Sequence, residues 1–93
     1  MTFVSIWNFH PGAQEKAARA FLKAGGAPLP EGAKLISRWH FGDVSGGVLV
    51  YESDNPQAGY DHAVEWSSVI SMTTRPALTD EQIGPILVKH YGG

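Results

Sequence analysis

The chain has 93 residues, and its 7 Lys and Arg against 9 Asp and Glu leave a formal net charge of −2. That length predicts one domain, residues 1–93, and the near-neutral charge excludes the basic surface of a nucleic-acid-binding protein. The absence of cysteine excludes disulfides, thiolate nucleophiles and cysteine-based metal sites.

The first predicted element is a strand over Thr2–Phe9, because the segment is β-branched and aromatic and contains neither Gly nor Pro. Its bulky side chains alternate onto both faces: Phe3, Trp7 and Phe9 on one, Val4 and Ile6 on the other. A strand that is apolar on both faces predicts a sheet that is covered on both sides.

The next elements are predicted in the order helix, strand, strand, helix, strand. Hydrophobic periodicity, turn residues and the Asn-Pro start of the second helix place them at 13–24, 34–41, 47–52, 56–67 and 69–75. Pro76 is predicted to end the fourth strand. Thr79 and Gln82 have the spacing of a capping box and predict a C-terminal helix. Pro85 leaves open whether that helix kinks or begins only near Gly84.

This order predicts an α+β, ferredoxin-like βαββαβ fold with a C-terminal helix, in which both main helices cover one face of the sheet. The antiparallel strands follow the spatial order 4-1-3-2. The other face of the sheet is then a large apolar surface, which predicts a homodimer with sheet packed against sheet. The alternative is a monomer whose C-terminal helix covers that face.

Several short motifs resemble the DUF3303 family over nearly the whole chain. They are Trp7 before the turn at 10–12, Arg38-Trp39-His40, Gly46-Gly47, Glu65-Trp66-Ser67 and the segment 74–78. The resemblance implies a small bacterial protein with a dimeric α/β-barrel fold. It implies no activity, and the wider barrel group includes monooxygenases, isomerases and pure binding proteins.

The predicted topology gathers polar and aromatic side chains at the upper end of the sheet, where the first strand ends. We predict a small-molecule cavity with two candidate catalytic histidines and four candidate ligand-binding residues: His40 and His62, and Asn8, Arg38, Tyr60 and Trp66. Each also has a structural interpretation. Trp66 can simply pack in the core, and a histidine on a strand or helix can be solvent-exposed.

Two functions fit such a cavity. One is a cofactor-independent enzyme, isomerase-like or monooxygenase-like, in which imidazoles transfer protons on a small organic molecule. The other is a ligand-binding or sensing module without chemistry. A third interpretation is a structural homodimer, whose cavity is filled by Trp66 and Tyr60 themselves. No metal ligand set or cofactor motif is found. With no long apolar run and no export leader, we expect a cytoplasmic protein without membrane contact.

Overall fold

The computed structural model describes residues 1–92, which form four strands and three helices. In chain order they are β1 (Thr2–Phe9), α1 (Gln14–Lys23), β2 (Ala33–His40), β3 (Gly46–Ser53), α2 (Gln57–Trp66), β4 (Ile70–Ala77) and α3 (Asp80–Tyr91). The strands form one antiparallel sheet in the order β2-β3-β1-β4, which confirms the predicted ferredoxin-like topology.

One face of the sheet carries the core and both main helices. Its buried residues come from β1, β3, α1 and the start of β4: Trp7, Ala17, Leu49, Tyr51, Val69 and Ile70. Alternation along β1 sends Val4, Ile6 and Asn8 to the opposite face, which we call the open face. Both central strands therefore have bulky side chains on each side of the sheet.

The fourth strand does not end at Pro76 as predicted but continues to Ala77. β4 is an edge strand that pairs only with β1, and Pro76 lies opposite Phe3. An edge strand tolerates a proline because one side of its backbone needs no ladder hydrogen bond. The predicted order 4-1-3-2 already placed this strand at the edge, but the prediction of its end treated the proline as a general strand breaker.

The C-terminal helix α3 begins at Asp80 and contains Pro85, so a start near Gly84 is wrong. Its capping box is complete: the Gln82 backbone N–H donates to Thr79 Oγ1, and the Thr79 backbone N–H donates to Gln82 Oε1. No residue of α3 is buried, and Ile6 and Trp39 on the open face remain 46% and 66% exposed. The helix therefore does not cover the open face.

Candidate ligand-binding cavity

A cavity of about 380 Å³ lies between the sheet and the two helices α1 and α2. This volume falls within the range of about 300–1,000 Å³ that is usual for small-molecule sites. Aromatic rings from β1, α1 and α2 form much of its wall: Trp7, Phe9, Phe21 and Trp66. On the α1 side, the small side chains of Ala17 and Ala18 leave the space that larger residues would fill.

Arg38 and His40 reach the cavity because the register of β2 shifts by one residue. Lys34 pairs with Glu52, and strict alternation from there would place Arg38 on the open face. Between Leu35 and Ser37, however, one extra residue interrupts the pairing with β3, so Arg38 comes to lie opposite the buried Leu49. An irregularity of this kind turns all later side chains of a strand to the other face.

The imidazole of His40 lies at the edge of the cavity between two aromatic rings. Its centroid is 5.5 Å from that of Trp7 and 5.6 Å from that of Phe21, both in edge-on geometry. The Arg38 guanidinium lies 5.9 Å from the centroid of the same Phe21 ring and donates one hydrogen bond, 2.6 Å long, to the carbonyl oxygen of Ala27. Phe21 therefore positions both polar side chains.

His62 and Trp66 enter the cavity from α2, where their i, i+4 spacing puts them on one face of the helix. His62 is only 4% exposed. Its Nδ1 atom and the Trp66 Nε1 atom are both buried, and neither has a hydrogen-bond partner among residues 1–92. Buried polar atoms are nearly always paired in folded proteins, so two orphans on one face of α2 need a physical reason.

The electrostatic environment keeps the His62 imidazole neutral at physiological pH. Burial lowers the pKa of His62 below its ordinary value of 6.5, and the nearby Arg38 cation lowers it further, while Glu65 opposes the shift. Burial also lowers the pKa of Arg38, which nevertheless stays protonated at neutral pH. The cavity thus combines a neutral imidazole, which can accept a proton, with one fixed cation.

Of the six predicted site residues, the structure brings four together and separates two from them. His40, His62, Arg38 and Trp66 all line the cavity. Asn8 is exposed on the open face, where it pairs across the sheet with Gly46 and Ser71. Tyr60 is 75% exposed and lies outside the cavity, because two residues along a helix turn a side chain by about 200° from His62.

Four further aromatic residues line the cavity although the sequence does not single them out as site residues: Trp7, Phe9, Phe21 and Phe41. One feature of the sequence could have indicated that Trp7 belongs to the site. Gly47 lies directly opposite it on β3, and a Cβ atom on Gly47 would overlap the indole ring. A glycine in a central strand indicates that another group approaches the backbone closely.

Among the described residues, no group of three or more His, Asp or Glu side chains is arranged to hold a metal ion. None of the helices α1 to α3 combines the length and the apolar character that crossing a bilayer requires.

Comparison with known proteins gives one match. The family model described as "Domain of unknown function (DUF3303)" matches residues 1–91. No curated protein and no solved structure matches the chain.

Proposed function

Because the chain belongs to the DUF3303 family, whose description assigns no activity, we propose a function from the cavity itself. The cavity binds a small organic molecule. The observation that carries this proposal is the cavity itself: about 380 Å³ of unfilled space with aromatic walls, lined also by Arg38, His40 and His62.

The same geometry suits acid–base catalysis without a cofactor. The neutral His62 imidazole can take a proton from a carbon next to a carbonyl group, and the resulting imidazolium can return it to another carbon of the same molecule. The Arg38 guanidinium, which also lines the cavity, can stabilise the oxygen on which negative charge develops. His40 places a second imidazole at the cavity edge. An isomerase-like reaction needs nothing more, and a monooxygenase-like reaction would add molecular oxygen.

The alternative is a ligand-binding or sensing module without turnover. It uses the same cavity and the same lining residues. The two candidates differ in one measurable way. An enzyme converts the bound molecule at a rate that follows the protonation of an imidazole, whereas a binding module returns the molecule unchanged.

Filling the cavity tests the ligand-binding proposal. Ala18 lines the cavity, so Ala18→Phe should place a ring in the ligand space. Ala20 lies on the same helix, is exposed and does not line the cavity, so Ala20→Phe is a matched control. After incubation with a metabolite extract, native mass spectrometry should show a bound small molecule on the wild type and on Ala20→Phe. Ala18→Phe should bind at least about tenfold less.

The outcome that contradicts the proposal is clear. A wild-type chain that neither copurifies with a small molecule nor takes one up from the extract leaves the cavity without a ligand. Equal uptake by Ala18→Phe and Ala20→Phe would place the bound molecule elsewhere on the protein.

We also propose that two copies of the chain pair through their open faces. In this face, apolar side chains lie side by side on three adjacent strands: Trp39, Val48, Val50, Val4 and Ile6. So broad an apolar surface is unusual on a soluble monomer, and a second copy presents an identical surface to cover it. The helix α3, with no buried residue of its own, is free to contact the partner in the same assembly.

A charge placed in the open face should separate the two copies. Val48→Asp puts a carboxylate on a central strand, where pairing would bury it without a partner. Val64→Asp makes the same change on α2 at a position that is 70% exposed, and is the control. Light scattering should give twice the chain mass for the wild type and Val64→Asp, and the mass of one chain for Val48→Asp. A monomeric wild type at micromolar concentration would contradict the dimer.

A further inference from the structure

We propose that the cavity binds a planar, apolar organic anion whose carboxylate or enolate oxygen pairs with Arg38. This inference rests on the proposed function, since it names the chemical class of the ligand that the cavity takes. It follows from the charge of the lining, the hydrogen-bonding capacity of the polar groups and the shape of the walls.

Arg38 is the one formally charged side chain among the described residues that line the cavity, and no Asp or Glu lines it. Neither ion pair found within residues 1–92 includes Arg38; one joins the N-terminus to Asp54 and the other joins Arg19 to Glu15. The side chain is half-buried and makes a single hydrogen bond, to Ala27. A guanidinium has five N–H donors, so most of its capacity is free. A partly buried cation without a counterion is stabilised by an anionic ligand.

The start of α1 favours an electron-rich ligand as well. The helix α1 begins at Gln14, which lines the cavity, and its first backbone N–H groups have no side-chain cap. That end of a helix carries partial positive charge. The start of α1 therefore adds partial positive charge to the cavity wall that also holds Arg38.

The cavity walls indicate the shape and polarity of the rest of the ligand. The rings of Trp7, Phe9, Phe21 and Trp66 bound the cavity, together with aliphatic side chains from β3 and β4 such as Leu49 and Met72. Aromatic walls stack favourably on flat apolar groups and offer few partners to a polar chain such as a sugar. The ligand class is therefore a flat apolar body with one anionic group, rather than a polyanion such as a nucleotide.

Three probes of nearly equal shape separate the effect of ligand charge on affinity from the effect of ligand shape. They are 2-naphthoate, the neutral 2-naphthamide and the cationic 2-naphthylmethylammonium. Isothermal titration calorimetry on the wild type should show naphthoate binding at least about tenfold more tightly than naphthamide, since hydrogen bonds to charged groups are the stronger ones. The cation should not bind at millimolar concentration. Arg38→Met keeps the length of the apolar stem and should reduce the preference for naphthoate to within about twofold.

Two more variants act as controls for the change at Arg38. Arg19→Met makes the same substitution at an exposed position of α1 outside the cavity lining, and should leave the preference unchanged. Arg38→Lys keeps the charge but loses the planar fork, and should retain only part of the preference. Where Arg38→Met fails to fold by circular dichroism, the wild-type ratio of the two affinities still tests the proposal.

Each result bears on one proposal. Equal affinity of the wild type for naphthoate and naphthamide, or an unchanged preference in folded Arg38→Met, overturns the anionic class while ligand binding in the cavity stands. Failure of the wild type to bind any probe at millimolar concentration overturns the class of planar apolar ligands. Failure of the proposed function itself appears in the separate comparison of Ala18→Phe with Ala20→Phe.

Discussion

Replacing Gly47 with alanine is expected to lower the free energy of unfolding by about 3 kcal/mol. Gly47 lies on the central strand β3 between Trp7 of β1 and His40 of β2. A Cβ atom there would overlap both the indole ring of Trp7 and the backbone carbonyl oxygen of Trp39. The carbonyl belongs to the sheet and cannot move without breaking the ladder, so the indole and the strand must both shift.

The control for this change is Gly42→Ala in the turn between β2 and β3. A Cβ atom on Gly42 meets nothing within 4 Å, and its backbone does not have a positive φ angle. In urea denaturation, the free energy of unfolding of this variant should lie within about 0.5 kcal/mol of the wild-type value. Because Trp7 also forms a cavity wall, Gly47→Ala should weaken ligand binding in whatever fraction stays folded. Equal stability of Gly47→Ala and Gly42→Ala would contradict the packing of Trp7 on Gly47.

Replacing His62 with leucine is expected to stabilise the ligand-free protein and to abolish ligand binding. Leucine has a similar volume, fits an apolar cavity wall and removes the orphan Nδ1 atom. Eliminating an unpaired buried polar group should raise the free energy of unfolding by about 1–2 kcal/mol. A gain in stability together with a loss of binding is the pattern expected of a residue retained for function. If His62 were needed only for packing, the change would instead lower the free energy of unfolding of the protein.

The pH dependence of stability gives a second measurement on the same variant. Burial holds the pKa of folded His62 below the 6.5 of the unfolded chain, so below about pH 7 the unfolded state binds more protons. The wild-type free energy of unfolding should therefore fall as the pH is lowered through 6.5 toward the folded pKa. His62→Leu should lose less stability over this pH range. The difference between the wild-type and variant curves of unfolding free energy against pH then gives the contribution of His62, separate from that of the carboxylates.

The matched control is His90→Leu, because His90 is exposed on α3 and lies outside the cavity. This variant should keep the wild-type ligand affinity and stay within about 0.5 kcal/mol of the wild-type stability. If His62→Leu binds ligand as tightly as His90→Leu does, the imidazole of His62 has no part in the site.

Local sequence signals were sufficient for the fold. The aromatic and β-branched residues of Thr2–Phe9, the turn residues around Gly42 and the Thr79–Gln82 capping box each act over a few residues. The structure confirms the strand with identical bounds, the antiparallel hairpin and both hydrogen bonds of the capping box. Pro76 shows where a purely local rule fails: its effect depends on the edge position of the strand, which the predicted strand order gave but the local rule did not use.

The same local rules are enough to separate some predicted site residues from the others. Asn8 lies one residue from Trp7 on a strand, and alternation alone puts the two on opposite faces. Tyr60 lies two residues from His62 on a helix, so the two cannot share one side. His62 and Trp66, four residues apart, share it. Periodicity therefore predicts which residues of a single strand or helix face the cavity.

The sequence by itself determined the order of the elements, the sheet topology and the helical face that carries His62 and Trp66, because periodicity and capping are properties of neighbouring residues. Only the tertiary structure decided that Arg38 and His40 turn toward the helices. The one-residue register shift in β2 depends on how that strand pairs with β3, which is a contact between distant segments. The cavity itself is likewise a tertiary property, since it is the space left between α1, α2 and the sheet once each has packed.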